Sequence, residues 1–212
     1  MRKAAILAFA CSLVFYSTNA FAQVYYQYPE APVVPAGEFV TGPYVAVGEN
    51  KLFRAGGFVR MNATRYLDVG FEALADSYDG HGRGGLGADL RLSIFSSYKA
   101  IPFDLSIGGG LGFVKGGGVE TIDVPIGGVI SSPFKSESGN TMVPYLGVYL
   151  LVIHATADIG GGRDVSDTDI DVELRGGVRY TLASGPDLFL TLFVGREAMA
   201  MFGVSFWPRG RD

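Results

Sequence analysis

The sequence is poor in the residue types on which most enzyme and nucleic-acid sites depend. Of 212 residues, one is cysteine and two are histidine, and charged residues make up 18%, against about 25% in a typical soluble domain. The cysteine, Cys11, lies in an N-terminal segment that we expect to be removed, which excludes disulfides, zinc–thiolate sites and cysteine nucleophiles from the mature chain. The net charge of −4 provides no basic surface for phosphates, which argues against a nucleic-acid partner.

The first 22 residues have the three parts of a secretory signal peptide. Arg2-Lys3 is the positive start, Ala4–Tyr16 is the apolar segment, and Ala20-Phe21-Ala22 is a cleavage site with small residues on either side of Phe21. A membrane anchor is the alternative, but the apolar run is shorter than the roughly 20 residues of a spanning helix. Residues 23–39 are rich in tyrosine and proline and predict a flexible periplasmic leader.

From residue 40 to residue 207 the hydrophobic pattern has a period of two. The strictest alternation is in residues 169–181, and it predicts a strand with one apolar and one polar face. The apolar face carries Ile170, Val172, Leu174, Val178 and Tyr180, and the polar face carries Asp169, Asp171, Glu173, Arg175 and Arg179. Similar runs of about ten residues recur along the chain, which is the length of a tilted transmembrane strand.

Ten strands are predicted, with eight as the alternative count. They are expected to start near residues 43, 53, 66, 85, 103, 119, 142, 169, 187 and 198. Turn signals rich in glycine, asparagine and aspartate separate them at residues 62–64, 79–82, 116–118, 160–162 and 184–187. An open sheet edge in lipid would cost several kcal/mol for each unpaired group, so we expect the sheet to be closed.

Two kinds of closed barrel fit such strands, and they differ in polarity. A soluble barrel is apolar inside, whereas a membrane barrel is polar inside and apolar outside. The strand charges are mainly Asp, Glu and Arg, which suit a lumen because Arg makes forked contacts with carboxylates. The lysines of this region lie near predicted turns: Lys51, Lys99, Lys115 and Lys135. The pattern favours the membrane barrel over a soluble periplasmic ligand-binding β-barrel.

Aromatic residues near the predicted strand ends support the same assignment, because membrane barrels carry aromatic girdles at both interfaces. The expected girdle comprises Tyr44, Tyr66, Phe95, Tyr98, Phe103, Tyr145, Tyr180, Phe206 and Trp207. A network of charged side chains is expected to fill the lumen of so small a barrel, so that no wide pore remains. Its predicted members are Asp68, Glu72, Asp89, Arg91, Asp104, Asp171, Glu173, Arg175 and Arg179.

Two motifs with a possible chemical meaning are better explained by structure. Gly82–Gly87 satisfies the G-x-G-x-x-G pattern, but a strand is predicted after it where dinucleotide binding needs a helix, so a glycine-rich loop is expected. Asp167, Asp169 and Asp171 have the spacing of a calcium loop, but the glycine and the final glutamate of that loop are absent. We therefore expect a strand with inward carboxylates, and neither a cofactor nor a metal ion.

The signal segment, the alternation, the strand Gly176–Tyr180 and the final strand Met201–Trp207 resemble the small outer-membrane β-barrel families of Gram-negative bacteria, of the OmpA and OmpX type. The resemblance covers residues 40–207 and implies an all-β, closed, antiparallel, up-and-down transmembrane barrel in the bacterial outer membrane. It also implies contact with outer-membrane lipid and lipopolysaccharide. The barrel assembly machinery would recognise the final strand, although a tail, residues 208–212, follows it here.

The class carries no active site over to this chain. We expect a structural, adhesive or narrow-transport role and no enzyme activity. The alternative is a hydrolase at the outer rim, similar to omptin-type proteases or to barrel enzymes that act on lipid A or phospholipid. Its candidate residues are His81 and Asp79, opposite Asp164 or Asp167, because a general base needs a histidine or carboxylate within reach of its water or nucleophile.

Overall fold

The computed structural model describes residues 38–95, 103–158, 164–182 and 186–207. The predicted signal peptide 1–22, the leader up to residue 37 and the tail 208–212 lie outside the described residues. Within the described ranges the chain forms eleven strands: β1 (Phe39–Gly48), β2 (Phe53–Thr64), β3 (Leu67–Tyr78), β4 (His81–Phe95), β5 (Asp104–Gly116), β6 (Val119–Ser131), β7 (Phe134–Lys135), β8 (Thr141–Asp158), β9 (Asp164–Thr181), β10 (Asp187–Val194) and β11 (Met199–Ser205).

Ten of these strands close into a barrel. Each pairs antiparallel with its neighbour in sequence, β6 pairs directly with β8, and β1 pairs with β11 to complete the ring. The two-residue β7 is an addition that pairs with β8. The predicted closed, antiparallel, ten-strand barrel is therefore confirmed, and the alternative count of eight is wrong.

We call the end of the barrel that holds the start of β1 and the end of β11 the lower end, and the opposite end the upper end. The upper connections include residues 49–52, 79–80, 117–118 and 195–198. At the upper end β9 extends beyond β10, because β10 pairs with β9 only from Leu174 to Thr181. The part of β9 from Asp164 to Glu173 is therefore paired with β8 alone.

The outward face of the barrel is apolar. Ile170 is 65% exposed on this face, whereas its near neighbour Glu173, which points into the lumen, is 1% exposed. The outward band continues around the ring through residues such as Leu90, Ile126 and Leu190. This polarity is that of a membrane barrel and the reverse of a soluble one. Among the described residues, no helix is long and apolar enough to cross a bilayer.

An aromatic girdle surrounds the lower end on the outer surface. Its exposed members are Phe39, Tyr66, Phe95, Phe134, Tyr180 and Phe206. Such rings suit the boundary between headgroups and acyl chains, because their bodies are apolar and can lie at the headgroup level. Three members of the predicted girdle are instead inside the barrel: Tyr44 and Tyr145 are buried in the lumen, and Trp207 packs against an apolar cluster there. Tyr98 lies outside the described residues.

Several predicted turns are displaced. Asn62-Ala63-Thr64 belongs to β2, which has an irregularity between Asn62 and Thr64, and the chain turns at Arg65 and Tyr66. The glycine-rich segment Gly82–Gly87 is part of β4 and forms no loop. A two-residue turn is enough before it, because Asp79 and Gly80 both adopt positive φ, at 46° and 84°, as tight hairpins require.

Three strands also begin earlier than expected. β1, β4 and β9 start at residues 39, 81 and 164, where the sequence predicted starts near 43, 85 and 169. At β4 two of the four added residues are glycine, and at β9 four of the five added residues are polar and lie on both faces, so hydrophobic alternation provides little signal there.

Candidate functional site

The lumen is the candidate functional site, and its charged half lies on β2, β3 and β4. Near the upper end, Asp76 on β3 receives guanidinium groups from both neighbouring strands. Arg54 Nη2 lies 2.7 Å from Asp76 Oδ2, and Arg83 Nε lies 2.8 Å from Asp76 Oδ1. The Arg83 guanidinium also lies 4.4 Å from the centre of the Tyr78 ring. Each carboxylate oxygen therefore has its own cation, which is the arrangement that buried charges require.

A second cluster of ion pairs lies on the same strands near the lower end. Arg60 on β2 bridges two carboxylates, those of Asp68 and Asp89. Asp68 also accepts from Arg91 Nη2 at 2.9 Å. Arg60 reaches Asp89 across β3 at Gly70, where a Cβ atom would lie 2.5 Å from Asp89 Oδ2 and 2.6 Å from Arg60 Nη2. Glycine at residue 70 therefore leaves room for the close approach of this ion pair.

Between these clusters, Tyr44 on β1 donates a hydrogen bond to Glu72 on β3. The tyrosine passes over Gly56 of β2, where a Cβ atom would overlap its ring. The pattern recurs across the other wall of the lumen. Tyr145 lies over Gly177, and Phe189 lies over Gly203. Aromatic rings laid on glycines help to fill the lumen, which accounts for these three of the 31 glycines of the sequence.

The opposite wall contributes an arginine stacked between rings. Arg175 on β9 pairs with Glu173 at 2.5 Å. Its guanidinium lies 3.9 Å from the centre of the Tyr149 ring and 5.5 Å from that of Phe193. A cation over an aromatic face is attracted by the ring, and the attraction grows when water is excluded. Arg175 thus joins the charged part of the lumen to its apolar part.

Both mouths of the barrel are narrowed by polar contacts between strands. At the upper end, Tyr78 donates to Glu197 Oε1 at 2.6 Å, and Asn50 donates to the Tyr78 hydroxyl at 3.0 Å. At the lower end, Arg179 Nη1 and Trp207 Nε1 each donate to Asp187 Oδ2 at 2.6 Å. Trp207, which was expected in the outer girdle, instead packs against the apolar cluster in the lumen.

The structure places all nine residues of the predicted lumen network on the inner face of the barrel. Asp68, Glu72, Arg91, Asp104, Glu173 and Arg175 are buried, and Asp89, Asp171 and Arg179 are partly buried. Arg60 joins Asp68 to Asp89, Arg91 pairs with Asp68, and Glu173 pairs with Arg175.

The lumen also contains six charged residues that were not predicted from the sequence. These are Arg54, Arg60, Asp76, Arg83, Asp123 and Asp187, all of them buried. In β2 the alternation of polar and apolar residues is weak. Phe58 lies on the same inward face as Arg54 and Arg60, and Gly56 and Gly57 lie between the two arginines. The spacing of Arg54 and Arg60 by an even number of residues is the feature that could have revealed a shared face.

The residues proposed for hydrolysis do not form a cluster. His81 is the exposed first residue of β4, which therefore begins inside the predicted turn at residues 79–82. Within the described residues it makes no hydrogen bond to Asp79, whose nearest cation is Lys51 Nζ at 3.9 Å. The side chain of Asp164 lies outside the described part, and Asp167 Oδ1 accepts from the N–H of Thr168 at 2.9 Å.

The Asp167, Asp169 and Asp171 repeat has a structural explanation. Each carboxylate accepts a hydrogen bond from the N–H of the following residue, at 2.9, 2.8 and 2.7 Å respectively. These residues lie where β9 has no β10 partner, so the carboxylates satisfy N–H groups of an open strand edge. Charged residues on such an edge also prevent pairing with other chains. In the described ranges no group of three His, Cys, Asp or Glu side chains is arranged to hold a metal ion.

Comparison with known proteins gives similarity of fold class without a close relative. No family model matches the sequence, and no curated protein matches it. The KdgM porin is 6% identical, and the match spans 79% of this chain and 98% of the porin chain with a TM-score of 0.40. LpxR from Salmonella typhimurium is 12% identical, and the match spans 73% of this chain and 72% of the LpxR chain with a TM-score of 0.40. Neisserial surface protein A is 16% identical, and the match spans 80% of this chain and 95% of the Neisserial chain with a TM-score of 0.30.

These proteins are outer-membrane β-barrels, and the present chain has the fold of that class on the strength of its own closed sheet and apolar outward face. At such low identity no site residue is carried over from any of them.

Proposed function

We propose that this chain is a structural outer-membrane protein whose lumen is a packed core and conducts no large solutes. The observation that carries the proposal is the burial of two arginine–carboxylate clusters inside the barrel on the β2–β4 wall, one around Asp76 near the upper end and one around Asp68 near the lower end. Aromatic rings occupy the remaining width. A wide pore would need the centre of the barrel to be free of side chains, as it is in larger barrels.

Lipid of the outer membrane is the expected surrounding of the outward band, with lipopolysaccharide at the upper end. The barrel assembly machinery is the expected partner during insertion. Support for its recognition of the final strand comes from Phe202, Val204 and Phe206, which share the outward face of β11 and the residue that follows it. Isolation from outer membranes, with a shift in gel migration on boiling, tests both the location and the barrel.

Planar-bilayer recording tests the packed lumen directly. The wild-type protein, folded in detergent and checked by its heat-dependent migration, should show no large, stable conductance. A Tyr149→Ala, Arg175→Ala double variant should conduct more, because it removes a stacked pair from the lumen. Large, stable steps from the wild-type protein would contradict the proposal.

A narrow passage for cations is the second candidate, and one observation favours it. The buried charged side chains of the described ranges comprise seven carboxylates and five guanidiniums. A negative interior favours cations over anions. Small conductance steps with a reversal potential that follows the cation gradient would support this candidate, and anion selectivity would exclude it.

A further inference from the structure

Three polar side chains stand side by side in the lumen at the lower end. In the register of the sheet, Asp187 on β10 lies directly opposite Thr181 on β9 and Ser205 on β11. Residues opposite one another in antiparallel strands have Cβ atoms about 4.5–5.5 Å apart when they share a face. All three belong to the inward face, so their side-chain oxygens converge on one part of the lumen.

Each of these residues has a buried oxygen without a hydrogen-bond partner. The atoms are Thr181 Oγ1, Asp187 Oδ1 and Ser205 Oγ. Asp187 is 1% exposed and Ser205 is 0% exposed, so bulk water does not satisfy them. A buried polar atom that lacks a partner costs about 1–3 kcal/mol. Three such atoms in one row indicate that a bound species completes their contacts.

The two oxygens of Asp187 have separate surroundings. Oδ2 accepts from Arg179 and from the indole N–H of Trp207, both at 2.6 Å. Oδ1 lacks a partner in the structure, as do the hydroxyls of Thr181 and Ser205. The carboxylate is thus anchored through one oxygen and presents the other to a ligand.

The donor set indicates the class of ligand. It contains oxygen atoms alone, and carboxylate and hydroxyl oxygens suit hard cations. We propose that Thr181, Asp187 and Ser205 bind one small, hard cation, of the Na⁺ or Ca²⁺ kind, at the lower mouth of the lumen.

The sequence provides a reporter at this location. Trp207 is the one tryptophan of the chain, and its indole N–H is bonded to the carboxylate that would hold the cation. The folded protein in detergent is titrated with NaCl and with CaCl₂ while tryptophan emission is recorded. Choline chloride at equal ionic strength is the reference. We expect a saturable change in emission with Na⁺ or Ca²⁺ that choline does not reproduce.

Two variants and a matched control identify the ligands. Ser205→Ala and Thr181→Val each remove one oxygen and leave the Asp187–Trp207 contact in place, and each should weaken binding at least about tenfold. Ser106→Ala is the control, because its hydroxyl is equally buried and unpartnered but lies on β5. Folding of each variant is checked by heat-dependent gel migration, and a bound cation should raise the unfolding temperature of the wild-type protein and of the control alone.

An emission change that choline reproduces would overturn the proposal. So would binding of equal strength in Ser205→Ala, Thr181→Val and Ser106→Ala. In either case a buried water molecule, and no cation, would complete the contacts of these oxygens.

Discussion

Substitution of Gly70 by alanine tests whether the ion pairs of the lumen determine stability. A Cβ atom at residue 70 would lie 2.5 Å from Asp89 Oδ2 and 2.6 Å from Arg60 Nη2. Both atoms are the ends of flexible side chains, so they can move away without displacing the backbone. The pair that they form is nevertheless largely buried, with side-chain exposures of 2% and 13%, so separated charges would have little access to water.

The expected magnitude follows from two opposing contributions. Breaking a buried ion pair by removal of one partner costs about 3–5 kcal/mol. The cost here is lower, about 2–3 kcal/mol, because Arg60 retains Asp68 as a partner. Alanine in place of glycine restricts the unfolded chain and stabilises the folded state by about 0.4–1 kcal/mol. We therefore expect Gly70→Ala to lower the free energy of unfolding by about 2 kcal/mol.

Gly57→Ala is the matched control, because it lies on the adjacent strand and on the outward face. Its Cβ atom would be 3.6 Å from the carbonyl oxygen of Gly42, an ordinary contact. The control substitution should leave the free energy of unfolding unchanged or raise it slightly. The assay is reversible urea unfolding in lipid vesicles, followed by tryptophan emission and gel migration. Equal free energies of unfolding for the two variants would refute the stabilising role assigned to glycine at residue 70.

Three further outcomes follow from the structure. Tyr44→Phe keeps the ring in the lumen but removes the hydrogen bond to Glu72, so the free energy of unfolding should fall by about 1–3 kcal/mol in urea titrations; no change would show that the bond is dispensable. Leu146→Arg, in the outward band, should lower the free energy of unfolding in vesicles by about 2–4 kcal/mol. Thr168→Arg, above that band on β9, should lower it by at most about 1 kcal/mol; equal losses would contradict the assigned position of the bilayer. His81→Ala should leave any measured phospholipid or peptide hydrolysis unchanged, and loss of such an activity would support the rim hydrolase.

The barrel could be predicted from the sequence because alternation within a strand reports its two faces. In β9, Ile170 and Leu174 are on the outward face and Glu173 and Arg175 on the inward face, as the pattern indicated. Hairpin turns rich in glycine set most strand starts. This information is local, so it is available without knowledge of which strands are neighbours.

The contents of the lumen depend on neighbouring strands and were less predictable. Tyr44 belongs to β1, where residues of both faces are apolar, so polarity alone cannot orient it. Its inward position is explained by Gly56 on β2, which leaves room for the ring. The inward position of Trp207 could have been predicted, because it is separated by even numbers of residues from Met201 and Ser205, which point inward. Its proximity to the chain end suggested a girdle position instead.

The assignment of the apolar face to lipid is the central claim, and spin labels on β10 test it most directly. The predicted mature chain contains no cysteine, so Leu190→Cys and Thr191→Cys each introduce a single labelling position. Leu190 points outward and Thr191 is buried in the lumen. In vesicles, a label at residue 190 should be relaxed strongly by oxygen, which partitions into lipid, and weakly by a water-soluble nickel chelate, whereas a label at residue 191 should be protected from both. Strong relaxation of the residue 190 label by the nickel chelate would place that face in water and contradict a membrane barrel.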